Sequence, residues 1–85
     1  MILSKIFSYN LRYYRLKANY TQEKLAELAD LNTKTLSNYE RCIAPSFEAI
    51  DRLAKALNIE PYLLFKEPVS STPLTANVRE YNKMK

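Results

Sequence analysis

The chain has 85 residues, 47% of them hydrophobic, a net charge of +4, one cysteine (Cys42), and neither histidine nor glycine. That length suits one small domain with a modest core. Histidine-activated nucleophiles, glycine-rich phosphate loops and an internal disulfide are all excluded, and no metal-ligand spacing is present, so the reading is a non-enzyme that needs no cofactor.

No run of about 18 apolar residues exists to span a membrane. The start, MILSKIFSYN, is interrupted by Lys5 and polar residues and lacks a signal-peptide layout, so the expected location is cytoplasmic. Positive charge collects unevenly. Residues 1–22 carry Lys5, Arg12, Arg15 and Lys17 with no acid, and further cations sit at Lys34, Arg41 and in the last residues. One-sided charge of this kind suits a polyanionic partner, though it also suits a merely soluble surface.

A first helix is predicted over about residues 3–18, with Phe7, Leu11, Tyr14 and Ala18 as its buried stripe. It should stop near Asn19 in a left-handed cap. Thr21 can cap a second helix, with Glu23 and Glu27 near its positive end and Leu25, Ala26, Leu28 and Ala29 as its apolar stripe. Asp30-Leu31-Asn32 reads as a tight turn with one apolar plug, Leu31. Asn32 or Thr33 can cap a third helix, which buries Leu36 and Tyr39. Its outward residues are then Thr33, Lys34, Thr35, Ser37, Asn38 and Arg41. Nearly all can donate hydrogen bonds, which suits base edges and phosphates.

Residues 42–45 form a loop, and Ser46 caps a fourth helix running to about 57 that buries Phe47, Ile50, Leu53, Ala54 and Leu57. Asn58 ends it. Pro61 opens a short fifth helix in which Leu64 and Phe65 close the core. The domain is thus residues 1–67. Residues 68–73 read as a flexible segment, and residues 74–85 either as a frayed tail or as a short helix with Leu74, Val78 and Tyr81 on one face. Seven tyrosines raise the alternative of a stacking surface for single strands. Tyr9, Tyr13, Tyr62 and Tyr81 are too scattered for that, and core or rim positions fit them better.

Leu11-Arg12 with Arg15, Thr21-Gln22-Glu23-Lys24-Leu25-Ala26, Thr35-Leu36-Ser37-Asn38-Tyr39-Glu40-Arg41, Pro45-Ser46, Leu53-Ala54-Lys55-Ala56-Leu57 and Pro61-Tyr62-Leu63-Leu64-Phe65 occur in that order. This set resembles the lambda-repressor-like family, the Cro/repressor type also called the xenobiotic-response-element family, over roughly residues 7–66. The resemblance implies an all-α, compact five-helix domain with its helix-turn-helix at the second and third helices. It implies sequence-specific binding of double-stranded DNA by a transcriptional regulator of repressor type. Thr33, Lys34 and Asn38 fall on base-reading positions, Gln22 and Arg41 on phosphate positions, and Thr35 and Ser37 on the flank of the same face. Arg15 and Glu40 match a paired arginine and glutamate. Asn19 and Asn58 stand where the family favours glycine, as does Cys42, and the loop from Glu40 to Pro45 is one residue shorter than the pattern. Family members pair on palindromic sites, so a homodimer through Ile59, Tyr62 and Leu63 is expected. The competing expectation is an antitoxin or antirepressor that uses this fold mainly to hold another protein.

Overall fold

The computed structural model describes residues 3–67; the two readings of the segment 74–85, and Leu74, Val78 and Tyr81 with them, lie outside the described residues. Four α-helices follow one another: α1 Leu3–Lys17, α2 Gln22–Leu28, α3 Thr33–Tyr39 and α4 Phe47–Leu57. The expected fifth helix is instead a 3-10 segment, Pro61–Phe65. Five residues are too few to nucleate a cooperative α-helix, and the Leu63 N–H bonds three residues back to the Glu60 carbonyl at 3.0 Å.

Side-chain caps set the starts. Thr21 accepts from the Lys24 N–H at 3.0 Å, Asn32 from the Lys34 N–H at 2.7 Å, and Ser46 from the Ala49 N–H at 3.1 Å. Asn32 rather than Thr33 is therefore the cap of α3. The core gathers Phe7, Leu11, Tyr13 and Tyr14 from α1, Leu25, Ala26 and Ala29 from α2, Leu36 from α3, Leu53, Ala54 and Leu57 from α4, and Leu64. The 3-10 segment packs on α1 and α4, with the Phe65 ring stacked on Phe7 at 5.4 Å. Asn10, fully buried on α1, donates to the carbonyls of Leu64 (3.1 Å) and Lys66 (2.9 Å) and so pins the chain's exit from the domain.

Three expected core residues lie outside it, and Tyr13, expected at the core or its rim, lies inside. Ala18 is exposed because α1 ends one residue earlier. Leu28 is 44% exposed: Leu25, Ala26 and Ala29 already span the inward face of α2, and Leu28 falls beyond its edge at about 100° per residue. Phe47 is 89% exposed, since it opens α4 at the lip of the core, beside an apolar groove lined by Leu3, Phe7, Ile50 and Phe65. Tyr13 is buried, its ring edge-on to Tyr14 at 4.9 Å.

Without glycine, the chain ends its helices with β-carbons in the left-handed region: Asn19 (φ 63°), Asp30 (φ 57°), Cys42 (φ 73°) and Asn58 (φ 59°). After α1, α2 and α4 the same pair of backbone bonds closes the turn. The left-handed residue bonds three residues back, and its successor bonds five back, as in Asn58 N–H to Lys55 O (3.0 Å) and Ile59 N–H to Ala54 O (3.0 Å). Asn58→Gly is expected to be neutral or up to about 1 kcal/mol stabilising, because relief at the β-carbon is set against glycine's greater unfolded-state freedom. A clear fall in Tm would contradict this.

Candidate nucleic-acid interface

The turn after α2 places α3. Asp30 takes up the left-handed conformation, the Leu31 N–H returns to Ala26 O at 2.8 Å, and the Leu31 side chain plugs against the core. Leu36, fully buried, and Tyr39, edge-on to Phe7 at 6.3 Å, then point inward. That rotation of α3 sends Lys34 and Arg41 fully outward and leaves Thr33, Thr35, Ser37 and Asn38 half-buried on the surface. Lys34, Asn38 and Arg41 recur at i, i+4 and i+7 and form one row; Thr33 and Ser37 form a second beside it. Arg41 Nη2 donates to Asn38 Oδ1 at 3.1 Å, so this row is already tied at one end.

The single acid in residues 33–41 is turned away from this face. Glu40 is 5% exposed, and Arg15 grips it through Nε at 2.6 Å and Nη2 at 3.1 Å, the pairing the resemblance implies. Arg15 Nη1 also donates to the Tyr20 carbonyl at 2.9 Å, fixing the α1–α2 turn to the same cluster. Gln22 Nε2 donates to Glu40 Oε1 at 3.1 Å, so one face of its amide is committed inside the protein. Arg12 Nε stands 3.8 Å from the same oxygen, with its side chain 59% exposed. One carboxylate thereby joins α1, α2 and the end of α3.

Arg12 was not among the site residues expected from the sequence. Its signal was there: Ser8, Arg12 and Arg15 share one face of α1 at i, i+4 and i+7, and that face meets the end of α3. Elsewhere, Tyr62 is 65% exposed, whereas Ile59 and Leu63 are half-buried against the core. Ile59 follows α4, and Tyr62 and Leu63 lie in the 3-10 segment. No described helix is long and apolar enough to cross a membrane.

A short helix, capped and braced by a second across a four-residue turn and presenting a row of donors, defines a helix-turn-helix domain. The chain belongs to the Cro/C1-type helix-turn-helix family, whose model matches residues 11–64. It is similar to the crystal structure of a hypothetical transcription factor from Neisseria, with a TM-score of 0.76 and 29% identity over 79% of this chain and 78% of that one. No curated protein matches.

Breaking the Arg15–Glu40 pair strands a buried charge. Glu40→Gln is expected to cost about 3–5 kcal/mol of folding stability by chemical denaturation. A loss below about 1 kcal/mol, typical of an exposed pair, would show that the cluster does not hold the helices together.

Proposed function

We infer that this protein is a sequence-specific double-stranded DNA-binding transcriptional regulator of repressor type that reads an operator with α3. The observation that carries the reading is the sign of the α3 surface. Its one acid is buried and neutralised by Arg15, and what remains outward is hydroxyls, an amide, Lys34 and Arg41. A surface evolved only for solubility mixes acids with bases; a row of donors and cations without an exposed acid matches phosphates and base edges. Membership of the helix-turn-helix family and the likeness to a hypothetical transcription factor support the same conclusion.

In this reading Thr33, Lys34 and Asn38 meet base edges in the major groove. Asn suits adenine and Lys suits guanine O6 and N7. Gln22 and Arg41 hold phosphates, Thr35 and Ser37 flank them, and Arg12 adds a third phosphate contact from α1. No cofactor takes part, and the site of action is the cytoplasm. A single short helix reads too few base pairs to be selective, so the protein acts as a homodimer on a palindromic operator, with recognition helices ~34 Å apart. Ile59, Tyr62 and Leu63 supply the contact.

The second reading, an antitoxin or antirepressor that holds another protein, draws on one observation: Leu3, Ile43 and Phe47 are 57%, 54% and 89% exposed. Exposed apolar patches mark protein contacts. Salt separates the two, since phosphate binding weakens steeply as salt rises.

On an operator selected from random duplexes, Asn38→Ala is expected to relax preference at one base pair and to cost ~1–3 kcal/mol. Arg41→Ala should weaken all sequences alike and flatten the salt slope by about one. The division of roles fails if both changes have the same sequence-independent effect. On the same operator a footprint should cover two half-sites; protection of one, without cooperativity, would rule out the dimer.

A further inference from the structure

The turn that follows α3 is closed differently from the other three left-handed turns. After α1, α2 and α4, the N–H of the left-handed residue bonds directly to the carbonyl three residues back: Asn19 to Leu16 at 3.0 Å, Asp30 to Glu27 at 3.2 Å, Asn58 to Lys55 at 3.0 Å. After α3 the equivalent bond would run from Cys42 N–H to the Tyr39 carbonyl. In its place the hydroxyl of Ser8, from α1, stands between the two groups. It accepts from Cys42 N at 2.8 Å and donates to Tyr39 O at 2.5 Å. Ser8 is 5% exposed, and both of its bonds reach more than 30 residues along the chain. The outer bond of the motif remains, from Ile43 N–H to Asn38 O at 3.2 Å.

Cys42 is also the one of the four residues whose side chain cannot mimic a backbone group. Asn and Asp tolerate the left-handed region through local hydrogen bonding; a cysteine β-carbon there is unfavourable by roughly 1–2 kcal/mol. The hydroxyl bridge holds this turn in its conformation. What the turn fixes is the row identified above. Arg41 immediately precedes Cys42, and the Asn38 carbonyl accepts from both Arg41 N (2.9 Å) and Ile43 N, while the Arg41 guanidinium lies on the Asn38 amide.

We propose that Ser8 is a positioning residue for nucleic-acid recognition: its hydroxyl is spliced into the cap of α3 and aims Arg41 at the phosphate backbone from a helix that does not itself enter the groove. This rests on the DNA-binding reading and adds to it a residue that touches no DNA. Arg15 and Ser8, two turns apart on α1, thus hold the last turn of α3 at two points. Arg15 neutralises its acid, and Ser8 completes its backbone.

The test is a double-mutant cycle between Ser8→Ala and Arg41→Ala, read as the salt dependence of binding to a random-sequence duplex, at temperatures where circular dichroism shows each variant folded. Random-sequence DNA serves because a phosphate contact needs no operator. Ser8→Ala alone is expected to flatten the plot of log K against log salt by about one phosphate contact, a slope change of ~0.9. It should lower affinity by the same fold as Arg41→Ala, and the double variant should be no weaker than either single one. Adding Cys42→Gly to Ser8→Ala should restore slope and affinity, because glycine lets the turn close through the direct backbone bond that the other three turns use. A general loss of stability would leave the slope intact and add to Arg41→Ala. Unchanged slope in Ser8→Ala, additive losses, or no rescue by Cys42→Gly would each overturn the assignment. Salt-independent binding by the unaltered protein would overturn the DNA-binding reading, and this inference with it.

Discussion

The outward face of α3 depends on where one carboxylate goes. Glu40 lies at the end of α3, buried behind a surface that offers only donors and cations. Left outward, it would place a negative charge beside Arg41, where the proposed function needs a phosphate to be attracted. Burying it alone would be prohibitive, since an uncompensated carboxylate in a core is disfavoured by several kcal/mol. Arg15 resolves this with a two-pronged contact at 2.6 and 3.1 Å, and Gln22 satisfies a further lone pair at 3.1 Å. The geometry of an arginine fork on a carboxylate is directional, so the pair also sets the rotation of α3 about its axis relative to α1. The apolar anchors Leu36 and Tyr39 agree with that rotation, and a stable reading face needs both kinds of restraint.

The absence of glycine imposes the second constraint. Four helices of this fold end in left-handed turns, and every one of those turns is made by a residue with a β-carbon. Asn19, Asp30 and Asn58 are the residue types that accept that conformation most readily, and in their turns the N–H of the left-handed residue bonds directly to a backbone carbonyl. Cys42 is not such a type, and there the fold recruits a hydroxyl from α1. The two constraints meet at the same few residues: 39 to 42 are tied to α1 by an ion pair and by a serine bridge two turns apart. The end of α3 is therefore held by non-local contacts, while its start is held by a local cap, Asn32.

That difference explains what could be read from the chain. Caps at Thr21, Asn32 and Ser46, the turn at Asp30, and the left-handed residues Asn19 and Asn58 are encoded within four or five residues of where they act. The inward pair Leu36 and Tyr39 follows from helical spacing, and the order of the motifs carries the family. Phe47, Leu28 and Ala18 fall outside the core; periodicity identifies a face without saying where the core stops along it or beside it. The shift from a fifth α-helix to a 3-10 segment turns on length, which the apolar pattern of Pro61–Phe65 does not reveal. Ser8 with Cys42, Asn10 with Leu64 and Gln22 with Glu40 are separated by 34, 54 and 18 residues, and nothing local marks them. Arg12 is marked by helical spacing, on the same α1 face as Arg15.

The central claim is that a buried, neutralised Glu40 leaves α3 free to read duplex DNA in pairs of half-sites. Selection of bound sequences from a random duplex pool tests it most directly. The account predicts enrichment of an inverted repeat whose half-sites are centred about one helical turn apart, ~10 base pairs. Recovery of a pool with no enriched motif, under salt conditions where the protein is folded, would contradict it.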